Sequence, residues 1–170
     1  MKTAAIGIIF SSDRTKVLLV KRRDVPIWVL PGGGIEENED PKETVEREVF
    51  EETSLRVTVK RLVGQYLPIN RLASETFVFE CSCHLEYKTL SPQKETVAVG
   101  FFPLDTLPQP FFFLHQEWLN DALFNHSTPI ICKMNSITWW AVIKNAMAHP
   151  LLMLRYLLSR IGLPLNSKTD

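Results

Sequence analysis

The stretch Leu30–Leu55, LPGGGIEENEDPKETVEREVFEETSL, decides how the rest of the chain is read. Three glycines run directly into a segment with eight glutamates and one aspartate, against only Lys42 and Arg47. Such a concentration is either a solvated acidic helix or the holder of a cation. The punctuation is that of a helix: Asp40 is placed to cap it, Pro41 suits a first position that needs no amide donor, and Glu43 stands where a reciprocal capping bond forms. The pattern predicts a helix from Pro41 to near Thr53, ended by the β-branched run LRVTVKRLV. With Glu48 at zero on a wheel of about 100° per residue, Glu52 falls near +40°, Glu51 near −60° and Arg47 near −100°. Three carboxylates therefore share one face within a single turn. Like charges at this spacing cost roughly 0.2–0.5 kcal/mol per pair on an exposed helix. Val45 and Val49 lie beside this face and turn it toward the domain edge. A hard divalent cation such as Mg²⁺ or Mn²⁺ is the natural neutraliser, because it takes oxygen ligands and keeps positions for water and phosphate. Arg47 is placed to orient Glu51.

Gly33, Glu39, the run Arg47-Glu48-Val49-Phe50-Glu51-Glu52 and Leu55 carry the spacing G-x5-E-x7-R-E-U-x-E-E-x-G-U, where U is aliphatic. In this pattern the chain resembles the Nudix hydrolases. One specified position departs: Ser54 stands where the family has glycine. In the family that glycine ends the helix in a left-handed conformation, which a residue with a Cβ adopts at a cost of about 1 kcal/mol. The segments WVLPGG and VGFFPLDTLP also look like family features, so the resemblance covers roughly residues 3 to 131. It implies an α/β/α sandwich with a mixed sheet and hydrolysis of a nucleoside diphosphate linked to another group, X. It implies Glu48, Glu51 and Glu52 as ligands of Mg²⁺ or Mn²⁺, joined by a backbone carbonyl, best that of Gly33. Glu39 becomes the partner of Arg47 in a supporting role. Gly32, Gly33 and Gly34 would let phosphate approach the backbone closely. Glu48 is the favoured base for water, with Glu95 the candidate from a distant loop.

Around this box the expected architecture is α/β. AAIGIIF and KVLLVKRR, separated by SSDRT, predict a hairpin. WVL leads into the glycines. TFVFECSCHL alternates, with Phe77, Phe79, Cys81, Cys83 and Leu85 on one face, so it predicts a half-buried strand. TVAVGFFPL predicts another strand and LHQEWLNDALF a helix. Arg22 and Arg23, at a strand end, are candidates for phosphate contact, beside the plain reading of solvated charge. Trp28 and Tyr66 could stack on a base or fill the core. His84, His115 and His126 lack spaced partners and read as structural or solvated.

Composition narrows the class. With 45% apolar residues and net charge zero over 170 residues, the chain can bury one core and offers no general attraction to nucleic acid. The expected partner is a small-molecule nucleotide. Cys81 and Cys83, two apart on a strand, suit neither a mutual disulfide nor a complete zinc site. With no cleavable leader in MKTAAIGIIFSSDRTK, a cytoplasmic location is expected. Only 32 residues precede the box, too few for the added N-terminal strands of dimeric ADP-ribose-cleaving relatives. No SQPWWE-like segment of dinucleotide cleavage occurs. Nucleoside triphosphates or related nucleotides are thus the first expected substrates, ADP-ribose or a nucleotide sugar the second. A non-catalytic nucleotide sensor is the reading of another class, and it would be expected to lose the carboxylates.

The box does not explain residues 132–170, so the expected division is a domain over 1–131 and a helical extension over 132–170. The extension carries five Lys or Arg against Asp170 alone, a net +4, while the rest of the chain is net −4. Trp139, Trp140, Ile143, Ala146 and Met147 fall within an arc of about 120°, opposite Thr138, Asn145 and His149. After Pro150, Leu151, Leu154, Leu157, Leu158 and Ile161 share a second face, and Gly162 and Pro164 stop it. Two amphipathic helices follow from this pattern. Packing on the sandwich or on a second copy in a homo-oligomer is the leading reading, and a peripheral membrane contact is the second.

Overall fold

The computed structural model describes residues 3–71, 73–83, 90–92, 95–124, 126–136, 138 and 140, then 143–144, 147, 150–151, 154–155 and 158. The elements in chain order are β1 (Thr3–Ile9), β2 (Lys16–Arg22), β3 (Trp28–Val29), β4 (Gly32–Gly34), α1 (Pro41–Thr53), β5 (Val57–Leu67), β6 (Glu75–Cys83), β7 (Thr96–Pro103), α2 (Phe113–Phe124) and β8 (Ile130–Lys133). Five strands form a mixed sheet in the order β4-β1-β6-β5-β8, and three form a small sheet in the order β3-β2-β7. β1 runs parallel to β6 and β5 parallel to β8, whereas β1–β4 and β5–β6 are antiparallel.

The predicted hairpin of the first strands is not formed. β1 and β2 belong to different sheets; the turn between them is closed by an isolated antiparallel bridge between Phe10 and Val17 and by the Ser11 amide donating to the Lys16 carbonyl at 2.9 Å, but the pairing goes no further. The reason is visible in their burial: Ile6, Ile8, Val17 and Leu19 enter one core while Ala5, Ile9 and Leu18 enter another. Strands buried on both faces belong inside a layered fold rather than in a half-exposed hairpin.

The first core joins β1, β2 and β6 to α2 through Leu114, Trp118 and Leu119. The second joins the opposite face to α1 through Val45 and Val49, both fully buried. Burying a valine side chain stabilises the fold by roughly 1.5–3 kcal/mol relative to leaving it exposed, so these two residues fix the face that α1 presents. Helices therefore lie on both faces of the sheet.

The limits of α1 match the reading of its sequence. Asp40 accepts a hydrogen bond from the Lys42 amide at 2.8 Å, and Pro41 opens the helix. Ser54 ends it with φ 63° and ψ 12°, its amide donating to the Phe50 carbonyl at 2.8 Å. The left-handed conformation expected at the departure from glycine is thus adopted by serine. Ile130–Lys133 is a strand that sequence reading did not separate from the extension, and it crosses the boundary expected after Ile131. Beyond it, Trp140, Ile143, Lys144, Met147, Pro150, Leu151, Leu154, Arg155 and Leu158 are helical. Pro150 itself is in helical conformation rather than in a break. Trp139, Ala146, Leu157 and Ile161 lie outside the described residues, as do His84 and Leu85.

Candidate active site

The glycines form β4, an edge strand on β1. Gly32 has φ 145°, a backbone open to glycine but not to side-chain-bearing residues. Its amide donates to Glu52 Oε2 at 2.9 Å. At Gly33 the reason for glycine is space: a Cβ there would lie 2.5–2.6 Å from the carboxyl carbon and both oxygens of Glu48. Two carboxylates, one helical turn apart on α1, are thereby brought against one short strand.

The electrostatics follow from that enclosure. Burial pushes Glu52 up to about 7; the Gly32 hydrogen bond opposes this, and the charges of Glu48 and Glu95 add to it. Glu48 is also raised, first by burial, with the Arg47 charge opposing. Arg47 grips Glu39 with Nε to Oε1 at 2.8 Å and Nη2 to Oε2 at 3.0 Å. This bidentate bond pulls the Glu39 carboxyl down to about 2. The same guanidinium reaches Glu48 Oε1 at 3.0 Å and Glu51 Oε2 at 3.3 Å. Arg47 thus ties the turn before α1 to the carboxylate face.

Among the described residues no three His, Cys, Asp or Glu side chains converge tightly enough to cage an ion as they stand. Arg47 accounts for this, since it draws Glu48 and Glu51 toward itself while Glu52 bonds to Gly32. The residues nevertheless fit a hard divalent cation. All the donors are oxygen, Glu48 and Glu52 are desolvated and repel one another, and Glu51, with 56% of its side chain exposed, can turn without unpacking anything. Glu48, by contrast, has only 18% of its side chain exposed.

The other expected site residues gather at the same end. Ser91 N–H donates to the Thr53 carbonyl at 3.1 Å, and Thr96 Oγ1 to the Glu52 carbonyl at 3.2 Å, so the β6–β7 connection is pinned to the last turn of α1. That pinning places exposed Glu95 within electrostatic reach of Glu48, Glu52 and Arg22. Arg22 pairs with Asp24 at 2.6 Å, and Arg23 donates to the Thr96 carbonyl at 2.9 Å, so both arginines border the site while holding partners of their own. Half-buried Trp28 packs edge-on against Phe102 at 4.6 Å, with the Lys21 ammonium 5.8 Å above its ring. Tyr66 is core: it is buried and donates to Asp121 at 2.7 Å.

His115 holds a place that the sequence did not disclose. It is buried on α2, and its Nδ1 accepts the Leu30 amide proton at 2.8 Å. Burial, and secondarily the Arg22 charge, push its imidazole down to about 3, so the ring is neutral and carries its proton on Nε2. Leu30 is two residues before Gly32. The strand entering β4 is further fastened by Phe112 N–H to the Trp28 carbonyl at 3.0 Å and Trp28 N–H to the Pro110 carbonyl at 2.9 Å. A lone histidine among Leu114, Trp118 and Leu119 reads as core, which hid this bond.

This fold and this carboxylate face are those of one family. The chain belongs to the NUDIX domain family, whose profile matches residues 1–122. It is similar to the ADP-ribose pyrophosphatase of Methanocaldococcus jannaschii, with 35% identity over 127 residues covering 70% of this chain and 72% of that protein. A Bacillus subtilis protein provisionally named 8-oxo-dGTP diphosphatase is 38% identical over 66 residues, 39% of this chain, and the chain spans only 44% of its length. Among solved structures, an ADP-ribose pyrophosphatase from Streptococcus suis is 29% identical with a TM-score of 0.62, covering 78% of this chain and 98% of that one.

Proposed function

We propose that the chain is a divalent-metal-dependent pyrophosphohydrolase of nucleoside diphosphate derivatives. Nucleoside triphosphates and related nucleotides are the first substrate class, and ADP-ribose or a nucleotide sugar the second. The observation that carries this reading is the pair Glu48 and Glu52, desolvated side by side against β4. Buried like charges are costly, and a site that keeps both has a use for a cation. The names of similar proteins support both substrate classes, the ADP-ribose pyrophosphatases by coverage and the 8-oxo-dGTP diphosphatase by identity.

In this mechanism Glu48, Glu51, Glu52 and the Gly33 carbonyl would hold Mg²⁺ or Mn²⁺. When bound, the metal neutralises the pyrophosphate and lowers the pKa of water. Glu48 is the base that takes the proton of the attacking water, with Glu95 the alternative, since both border the same space. Arg22 and Arg23, at the border of the site, are the proposed phosphate contacts; of the three glycines expected to admit phosphate only Gly34 has open space, since Gly32 is closed by Ala5 and Ile6 and Gly33 by the Glu48 carboxylate. Arg47, held by Glu39, keeps Glu48 and Glu51 oriented. Cys81, Cys83 and Cys132 form no disulfide among the described residues, which suits a reducing compartment, and among those residues no helix is long and apolar enough to cross a membrane. A cytoplasmic enzyme is the corresponding reading.

The test is a panel of nucleoside triphosphates, ADP-ribose and nucleotide sugars with Mg²⁺, Mn²⁺ or a chelator, scored by the phosphate, pyrophosphate and nucleoside monophosphate released. Metal-dependent cleavage of the anhydride is expected. Tight nucleotide binding with no product on any member would instead establish the sensor reading.

A further inference from the structure

Five large apolar side chains in the helical extension are left uncovered by the rest of the chain: Trp140 (74% exposed), Met147 (79%), Leu151 (75%), and Ile143 and Leu154, both about half exposed. At about 100° per residue they fall within an arc of about 80°. Among the described residues these five fall on one stripe. Exposed Lys144 lies on one flank at about +40° from Trp140, where a long cationic side chain reaches past apolar neighbours.

The charge of the segment says what kind of surface it fits. Its five basic residues face a single acid, Asp170. A symmetric pairing of this stripe with its copy would set like charges together. Docking on the body of a second copy would meet that body's negative charge, but nine of its eighteen acids lie in residues 36–52, around the carboxylates that must stay open to metal and nucleotide. An anionic bilayer offers an apolar layer for the stripe and opposite charge for its flank, and tryptophan favours that interface.

We propose that the stripe Trp140–Ile143–Met147–Leu151–Leu154 is a membrane-surface contact that lays the extension in the headgroup layer of an anionic bilayer. The contact is peripheral and reversible. It is independent of the activity proposed above, so the two can fail separately.

The experiment is co-sedimentation of the full chain with vesicles of phosphatidylcholine alone and with about 40% phosphatidylglycerol, together with the solution mass of the free protein. Binding to the anionic vesicles only, released by about 0.5 M salt, is expected. The double variant Met147→Glu/Leu151→Glu should bind at least about tenfold more weakly, and Lys144→Glu a few-fold more weakly. Both should keep the wild-type melting curve, because these side chains support no packing. No binding of the wild type, or binding unchanged in the double variant, overturns the proposal. A dimeric mass that the double variant reduces to a monomer, without vesicle binding, also overturns it and assigns the stripe to a second copy.

Discussion

The last two turns of α1 and the helical extension are both amphipathic, and they handle their awkward groups in opposite ways. On α1 the costly groups are charges: Glu48 and Glu52 are drawn out of water against β4, and Arg47 is held to them by Glu39. On the extension they are apolar: Trp140, Met147 and Leu151 stand in water. Each region keeps something unfavourable in the isolated chain that a partner would relieve. On the readings proposed above, the partner of α1 is a cation with a phosphate and that of the extension an anionic surface. On those readings the chemistry belongs to the first region alone.

The largest effect is expected from Glu52→Gln or Glu48→Gln. Either removes a carboxylate proposed to hold the metal, and turnover should fall by about a thousandfold or more. The fold should be intact or slightly more stable in the metal-free protein, since one like-charge contact is gone. Kinetics at saturating metal, with a melting curve beside them, check both parts. Near-normal turnover in both variants would move the chemistry elsewhere.

Acid–base behaviour gives the next effect. Glu52 titrates near 7 in the fold against 4.5 for a free glutamate, so the folded protein holds this proton more tightly. The resulting stability is fully present below about pH 4.5 and is lost as pH rises through 7, amounting to about 3 kcal/mol by the shift. In chelator, the melting temperature should therefore fall between pH 5 and 8, and Glu52→Gln should flatten that fall. Metal binding should show the opposite trend and strengthen over the same interval, because the ligand is the carboxylate.

His115→Leu should lower turnover by about tenfold or more while KM changes little. The Leu30 amide would lose its acceptor, at about 1–3 kcal/mol, and the strand leading to Gly32 would loosen. His115→Asn, which can place an acceptor near the position of Nδ1, should recover most of the loss. Equal loss in both variants would make His115 a packing residue only. Ser54→Gly should raise stability by about 0.5–1 kcal/mol, since φ 63° suits glycine. A lower melting temperature would mean that the helix end is built around the serine. The smallest effect on turnover is expected from ending the chain after Ser136, beyond β8 and Met134: any folded product should hydrolyse its substrate within about threefold of the full chain. A folded but inactive product would join the two regions into one site.

How much of this was legible in the sequence follows the same division. α1 was readable to the residue, because capping, glycine spacing and carboxylate periodicity are local and agree with one another. The separation of β1 from β2 was not, since two apolar runs and a polar turn carry no record of which sheet each joins. β8 was hidden for a similar reason: Ile130–Lys133 pairs with β5, more than sixty residues earlier, through backbone bonds that leave no pattern in its side chains. His115 escaped because its bond goes to a main-chain amide 85 residues away. The three carboxylates could be placed on one face, but the grip of Arg47 on two of them depends on side-chain conformations that a helical wheel does not contain.

The most direct test is a titration of Mn²⁺ into the full chain at pH 8, followed by the electron paramagnetic resonance of the free ion. The wild type should take up the ion, Glu48→Gln and Glu52→Gln should each weaken uptake by at least about tenfold, and Met147→Glu/Leu151→Glu should match the wild type. Uptake that is unchanged when both α1 carboxylates are amides, or lost when only the stripe is altered, would contradict the assignment of the chemistry to α1 and β4.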